Sequence, residues 1–181
     1  MLRTWLNCSC RLNRPYFEKL AQDALQRPDM VNIKSHYSRS AFSGFWILEY
    51  GEIFIGLIAL DASLDAESND LIASDKKFNT KKGTSRTAVI RHFHVEEQYR
   101  GIGMQKDLLD HAIQHAFSSD STVRTIKAAE SSLVPYVKEC LRSAGFHLQK
   151  YTDTVGVLAW KLGERILERD DWEKEGEKGG K

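Results

Sequence analysis

Cysteine is scarce in this chain, with three residues among 181, and the spacing of these residues excludes several common sites. Three thiols are too few for the disulfide framework of a small secreted protein. Cys8 and Cys10 lack the two-residue spacer common in zinc ribbons, and no matching ligand pair follows downstream. We therefore predict no metal site and a reducing, intracellular compartment, with the cytoplasm as the simplest location.

An excess of charge of one sign is also missing, because 26 basic residues face 25 acidic residues. Proteins that bind nucleic acid need a basic surface that displaces counterions from the phosphate backbone. No apolar run reaches the roughly 18 residues that span a bilayer, and Arg3, Thr4 and Asn7 interrupt the first ten residues. We predict no nucleic-acid partner, no integral membrane segment and no signal peptide.

The length of the chain and its hydrophobic content of 41% predict one compact domain with a sizeable core. We predict that this domain covers residues 15–163. Residues 1–14 would form an N-terminal extension. Residues 164–181 are dominated by Glu, Lys, Arg and Gly, so we predict a charged C-terminal tail that frays into solvent.

Strand and helix patterns alternate along the predicted domain. A short helix follows Pro15, and a hairpin follows it with strands at 45–50 and 53–60 joined by Gly51 and Glu52. Residues 61–86 are polar and predict a surface loop. Beyond the loop the pattern predicts a strand at 87–95, a helix at 104–117, a strand at 122–129, a helix at 133–144, and strands at 146–151 and 155–162.

The segment between the strand at 87–95 and the helix at 104–117 has the composition of an anion-binding turn. Its sequence, Gln-Tyr-Arg-Gly-Ile-Gly-Met-Gln at residues 98–105, contains two glycines that let the backbone approach a ligand. The first amides of a helix lack intrahelical partners, and together with the helix dipole they favour phosphate. Arg100 and Lys106 can add positive charge around a diphosphate.

Two common nucleotide-binding motifs are excluded at this turn. The sequence has no Gly-Lys-Ser/Thr ending for a P-loop, and Gly101-Ile102-Gly103 lacks the third glycine of a dinucleotide fingerprint. The surrounding pattern therefore decides the interpretation. That pattern is a hairpin, a strand, the turn with its helix, and then a second strand and a helix that ends at Gly145.

At this point the residues resemble the GNAT superfamily of N-acetyltransferases. The phosphate loop of that family follows the pattern Gln/Arg-x-x-Gly-x-Gly/Ala after a strand ending in valine, and residues 100–105 match it through five positions. Ser131-Ser132 and Gly145-Phe146 also have the spacing of members in which these pairs open and close the late helix. The resemblance covers residues 45–162.

Some features are similar to a membrane-tethered branch of the superfamily. They are the Ser-Ser opening of the late helix and the sequence Gly-Phe-Trp at residues 44–46. The apolar hairpin that precedes the domain in that branch is missing from this sequence. Two interpretations stay open. The chain is a soluble relative, or it begins inside a longer product that associates with a membrane surface.

The resemblance implies a fold and a cofactor. The fold is α/β, with a GNAT-like, strongly twisted mixed β-sheet flanked by helices and a cofactor cleft between two splayed central strands. The cofactor is acetyl-CoA, and the Val95 amide would polarise its thioester carbonyl. The implied cofactor-binding residues are Phe93, Val95, Arg100, Gly101, Ile102, Gly103, Met104, Gln105, Lys106 and Ser132.

The resemblance also implies a base that takes a proton from the acceptor amine, directly or through water. The nearest candidates are His92, His94 and Glu96, with Glu97 as a further carboxylate. Two histidines on one strand face are often structural, so a packing role for both is the competing interpretation.

Two positions depart from the family pattern. Gln105 stands where the phosphate pattern ends in Gly or Ala, and Leu141 stands where the late helix commonly carries a tyrosine that protonates the departing thiolate. The acid would then be Cys140, Tyr136 on another face of the helix, or solvent. Cys140 lies on an apolar helical stripe, which favours core packing over reactivity.

We predict an N-acetyltransferase that transfers acetyl from acetyl-CoA to a primary amine of a small molecule or a protein by direct attack on the thioester. The alternative is a catalytically weakened acyl-CoA-binding scaffold or regulator that acts through a protein partner. A third hypothesis keeps the fold but loses the cofactor. The sequence leaves open the acceptor and whether the chain forms a homodimer or binds a partner protein.

Overall fold

The described part of the chain folds around one mixed β-sheet. A computed structural model describes residues 18, 19, 22, 25–67, 82–156 and 158–179. The strands are β1 (Gly44–Tyr50), β2 (Ile53–Ser63), β3 (Thr84–Val95), β4 (Thr125–Ser131), β5 (His147–Val155) and β6 (Trp160–Glu168). Their order is β1-β2-β3-β4-β6-β5, which leaves β1 and β5 at the edges. Only β3 and β4 pair in parallel, and the predicted mixed α/β sheet is confirmed.

Helices cover both faces of this sheet. They are α1 (Pro28–Val31), α2 (Ile33–Tyr37), α3 (Met104–Ala116), α4 (Pro135–Ser143) and α5 (Arg169–Gly179), with a 3₁₀ helix at Glu97–Ile102 before α3. Neighbouring residues on a strand point to opposite faces. Leu60 joins the core under α3, whereas Asp61 contacts His36 of α2. The α1–α2 pair therefore covers the face opposite α3.

No helix among the described residues is long and apolar enough to cross a membrane. The predicted N-terminal extension and most of the helix predicted after Pro15 lie outside the described residues.

The predicted helix at 104–117 is confirmed as α3. Its apolar residues recur at helical spacing, so a single stripe of the helix faces the sheet. That stripe is buried and consists of Leu108, Leu109, Ala112, Ile113 and Ala116. It packs on β2 and β3 and fixes the direction in which the turn before α3 points.

The hairpin predicted at 45–60 is confirmed, but its second strand is longer than predicted. Gly51 has a φ of +62°, which a tight turn requires and glycine supplies without strain. β2 continues through Ser63 and β3 begins at Thr84, so both ends of the predicted loop at 61–86 are strand. The prediction failed there because a charged residue, Asp61, is fully buried in the sheet.

The charged C-terminal segment predicted from residue 164 also differs in the structure. β6 pairs with β4 as far as Glu168 opposite Thr125, and α5 follows. One of its charged residues lies inside the sheet: Arg165 forms an ion pair with Glu130, and both side chains are buried. Pairing of the guanidinium with a carboxylate lets a charged residue occupy a central strand.

Arg169 explains why α5 lies where it does. Its guanidinium donates to the carbonyls of Phe117 at 2.7 Å, Ser118 at 3.0 Å and Ser121 at 3.0 Å. The last carbonyls of a helix have no intrahelical donors, and those that follow α3 are satisfied by this one side chain. The start of α5 is thereby bound to the end of α3.

A buried charge cluster joins α2 to the sheet. Asp61 accepts from His36 at 3.0 Å, from Arg39 at 3.3 Å and from Arg91 at 3.5 Å. Arg39 Nη1 also donates to both carboxylate oxygens of Asp65, each at 2.7 Å. Burial alone would raise the pKa of Asp61, but the hydrogen bonds from His36 and Ser63 and the charge of Arg91 lower it.

We expect Asp61→Asn to lower the free energy of unfolding by about 3 kcal/mol at pH 7, because buried Arg39 and partly buried Arg91 lose their common carboxylate. The folded-state pKa of Asp61 is depressed, so its contribution is present above the unfolded pKa and is lost as pH falls through the folded value. The difference in the free energy of unfolding between wild type and variant, measured by urea denaturation, should therefore become smaller below about pH 4. Asp120→Asn at an exposed site is the control, and a gap that is absent or independent of pH would contradict this assignment.

Candidate active site

The central feature is a cleft where β3 and β4 separate. The two strands pair from Thr87 with Thr125 to Ile90 with Ala128 and then diverge. On β2, neighbouring residues Ala59 and Leu60 pair with His92 and Ile90, so Arg91 is an extra residue in β3. Such a bulge bends a strand and increases its twist. The cleft has a volume of about 260 Å³, and its lining includes Ile90, Arg91 and Phe93 of β3, residues 128–131 of β4, and Val137 and Leu141 of α4.

Backbone groups of β3 face this cleft. The Glu96 amide donates to Ile55 of β2 at 2.8 Å, whereas the Val95 amide donates across the cleft to the hydroxyl of Tyr136 at 3.3 Å. Because amides alternate in direction along a strand, the Phe93 amide points to the same side as that of Val95. The predicted pair Phe93 and Val95 thus presents its main chain to the cleft.

The turn that follows leads from the cleft to the start of α3. Gly103 has a φ of +92°, and α3 begins at Met104 without a side-chain cap. The first intrahelical donors are the amides of Lys106 at 2.8 Å and Asp107 at 3.3 Å, both to the Gly103 carbonyl. The amides of Met104 and Gln105 precede them. A Cβ added at Gly101 or Gly103 would meet no heavy atom within 4 Å, so the space in front of the turn is open.

Arg100 connects the turn to the cleft. Its Nε donates to the Val95 carbonyl at 2.8 Å, and its guanidinium lies 4.0 Å from the centre of the Tyr136 ring. Both contacts direct the side chain toward the Val95–Tyr136 junction. The guanidinium of Arg100, which the sequence predicts beside a diphosphate, is therefore bound to Val95 and Tyr136. The side chain of Lys106 is largely exposed.

A family model described as the acetyltransferase (GNAT) family matches residues 5–146. The chain belongs to this family. It is therefore an acyltransferase, and the match includes the hairpin, both strands of the cleft, the glycine turn and α4. The family uses acetyl-CoA as its acyl donor.

Solved structures share the GNAT fold at low sequence identity. A variant of spermidine N-acetyltransferase from Vibrio cholerae matches with a TM-score of 0.56 at 11% identity, over 82% of this chain and 75% of that chain. A Salmonella typhimurium protein described as an acetyltransferase, solved with its cofactor acetyl-CoA, gives 0.50 at 17% identity, over 71% and 65%. A GNAT-family protein from Desulfovibrio desulfuricans gives 0.51 at 12%, over 70% and 69%. No curated protein sequence matches the chain significantly.

The position where GNAT enzymes commonly carry a tyrosine cannot supply a proton in this chain. It is occupied by Leu141, which is buried and packs at the wall of the cleft. Its neighbour Cys140 is 6% exposed, and burial together with the charge of Asp110 raises the pKa of its thiol to about 12. Cys140 therefore packs in the core, as predicted. The tyrosine near the cleft is Tyr136, which we had expected on another face of the helix; it lies in the first turn of α4 and reaches Val95.

The three candidate bases lie in different surroundings. His92 Nε2 lies 2.7 Å from Asp29 Oδ2, and its side chain is 18% exposed. His94 lies 3.3 Å from Glu96, and both of these side chains are 47% exposed. Sequence reasoning missed Asp29, which belongs to α1 and is 63 positions from His92.

The remaining predicted residues do not share a side-chain site among the described contacts. Ile102 is 64% exposed, and Ser132 donates its hydroxyl to the Lys161 carbonyl of β6 at 3.2 Å. Gln105 carries a buried Oε1 that has no hydrogen-bond partner among the described residues. The turn therefore offers main-chain amides more than side chains to a ligand.

We expect Gly103→Ala to reduce the free energy of unfolding by about 1 kcal/mol, because an alanine is strained at a φ of +92°. Gly101→Ala is the matched control, since its φ is not positive and its Cβ would meet open space. That control should change stability by less than about 0.5 kcal/mol. Urea denaturation of both variants measures the difference, and equal stabilities would show that the backbone relaxes at Gly103.

Proposed function

We propose that this GNAT enzyme transfers an acetyl group from acetyl-CoA to a primary amine by direct attack on the thioester. One observation carries the proposal: a strand edge whose backbone groups are not paired with another strand runs directly into an open, glycine-flanked helix start. The edge is that of Phe93 and Val95, and the helix start follows Gly103. An extended arm and a diphosphate need these two features in this order.

The residues present suit the cofactor. Phe93 and Val95 would pair with the pantetheine arm, and amides of residues 101–105, which precede the first intrahelical donor at Lys106, would hold the diphosphate. The empty space in front of Gly101 and Gly103 allows an anion to approach the backbone. Gln105 has its side-chain oxygen buried, so it need not obstruct that approach.

Bound acetyl-CoA supplies an activated acetyl group as a thioester. The hydrogen bond from the Val95 amide to the Tyr136 hydroxyl is long, at 3.3 Å. With the cofactor bound, the Val95 amide would donate to the thioester carbonyl instead of to Tyr136. Tyr136 would then stay beside the sulfur and supply the proton that the departing thiolate needs. Its position is maintained by Arg100, which stacks on the ring and bonds to the Val95 carbonyl.

The acceptor would be a primary amine that enters over β3 from the face opposite the turn. The name of the Vibrio cholerae structural neighbour, spermidine N-acetyltransferase, supports an amine as the acceptor class. Either a small molecule or a protein amine fits this proposal. Leu141 and Gln105 favour the scaffold alternative, whereas the presence of Tyr136 at the cleft favours the enzyme.

Thiol release from acetyl-CoA in the presence of an amine panel tests the proposal. We expect release by the wild type and a loss of more than tenfold in acetyl-CoA affinity for Gly101→Asp, because a carboxylate beside the diphosphate is repelled. Gly101→Asn has the same shape without the charge and should bind nearly as wild type. Tight binding of acetyl-CoA without release for any amine would support the scaffold, and equal binding by both variants would place the diphosphate elsewhere.

We expect Tyr136→Phe to lower kcat by about tenfold to a hundredfold, since phenylalanine cannot protonate the thiolate. The effect is moderate because a thiolate leaves readily without an acid. The dissociation constant of acetyl-CoA, measured by calorimetry, should change little. Tyr151→Phe, at an exposed position on β5, is the control. An unchanged kcat in Tyr136→Phe would assign the proton to solvent.

A further inference from the structure

We propose that His92 is the base that deprotonates the acceptor and that Asp29 of α1 is the positioning residue that holds His92 in its active orientation. This inference rests on the acetyl transfer proposed above. It selects one of three candidate bases and adds a residue from a separate part of the chain.

The contact between the two side chains is short and largely shielded from water. His92 Nε2 lies 2.7 Å from Asp29 Oδ2, and Asp29 is 4% exposed. A buried carboxylate accepts hydrogen bonds, so the imidazole carries its proton on Nε2 and leaves the lone pair of Nδ1 available. Nδ1 is therefore the atom that can receive a proton from the acceptor.

Asp29 is itself fixed and charged. The Tyr37 hydroxyl donates to Asp29 Oδ2 at 3.2 Å, and burial raises the pKa of Tyr37 so that this hydroxyl keeps its proton. Burial alone would raise the pKa of Asp29, but the contacts with His92, the charge of His36 and the hydrogen bond from Tyr37 together lower it. An ionised carboxylate at this position stabilises the imidazolium that forms when His92 takes a proton.

The position of His92 along β3 is level with the cleft. It stands between Arg91 and Phe93, both of which line the cleft. The contact with Asp29 directs its side chain to the α1–α2 face, opposite the turn that begins α3. The base and the diphosphate would thus lie on opposite sides of the sheet, and the acceptor would not compete with the cofactor for space.

The other candidates lack such support. His94 and Glu96 are both about half exposed and lie 3.3 Å apart, so water screens their interaction. The His94 ring stacks on Phe54, which is itself partly exposed. In the part of the chain that the structure describes, neither side chain has a buried partner to fix its orientation.

The proton balance of the reaction is complete with these groups. The acceptor ammonium loses one proton to His92 Nδ1, which later passes it to solvent. The amine lone pair forms the new N–C bond as the C–S bond breaks, and the second nitrogen proton reaches the sulfur through Tyr136 or water. The products are an amide, the free thiol of CoA and one proton.

Two isosteric acceptors separate deprotonation from binding. 2-Phenylethylamine is an ammonium ion at neutral pH, whereas O-benzylhydroxylamine is already neutral and needs no base before attack. We expect Asp29→Asn to reduce kcat for the first acceptor by about tenfold to a hundredfold and to leave kcat for the second nearly unchanged. The KM for acetyl-CoA should not move in either case.

A second variant keeps the test decisive if Asp29→Asn folds poorly. His92→Gln should show the same dependence on the acceptor, and the double variant should be no slower than His92→Gln alone, because the two residues act as one unit. Calorimetric binding of acetyl-CoA verifies that each variant retains its cofactor site.

Additive losses of kcat in the double variant, or equal losses of kcat with both acceptors, would overturn the pairing of His92 with Asp29 while leaving acetyl transfer intact. A wild type that releases no thiol with any amine would overturn the proposed function and the dyad together.

Discussion

The separation of β3 from β4 is the constraint on which the rest of the site depends. Parallel pairing stops after Ile90 and Ala128, where β3 gains the extra residue Arg91. On one side of the sheet this exposes backbone amides that a continuous sheet would use for pairing. On the other side it changes which side chains face α1 and α2, so that His92 meets Asp29. One inserted residue thus accompanies both the open edge that we propose for the cofactor and the position of the proposed base.

The glycine turn complements this separation because it lies at the end of the same strand. Val95 ends β3, residues 97–102 form the 3₁₀ helix, and Gly103 starts α3. Arg100 bonds to the Val95 carbonyl and stacks on Tyr136, which couples strand, turn and α4 through one side chain. The distance from cleft to turn is therefore set by a short, internally braced segment of the chain.

The parts of the molecule that were predictable from sequence are those that depend on local spacing. The stripe of α3, the hairpin around Gly51 and the turn at Gly101 and Gly103 each follow from residues close together in the chain. Asp29 could not be predicted as a partner of His92, because nothing local relates two residues 63 positions apart. Periodicity alone also could not place Tyr136 at the cleft, since that requires knowing where α4 begins and how close it approaches β3.

Buried charges caused two further errors, at the end of β2 and at the end of β6. Asp61 and Arg165 are polar residues inside strands, and each is accommodated by partners from distant segments. Patterns that associate charge with solvent ended β2 too early and interpreted the last part of β6 as a tail. The same residues attach α2 to the sheet and brace β4 against β6, so the positions that misled the prediction are structurally important.

β5 has a consequence for the outer border of the sheet. It is an edge strand whose residues are nearly all exposed, and it carries Lys150 and Asp153. Charged side chains along such a border make the addition of another extended chain unfavourable, since each added strand would desolvate them. The opposite border, β1, exposes Ile47 and Tyr50 and has less of this protection. Resistance to fibrillar self-association is therefore distributed unevenly between the two margins of the molecule.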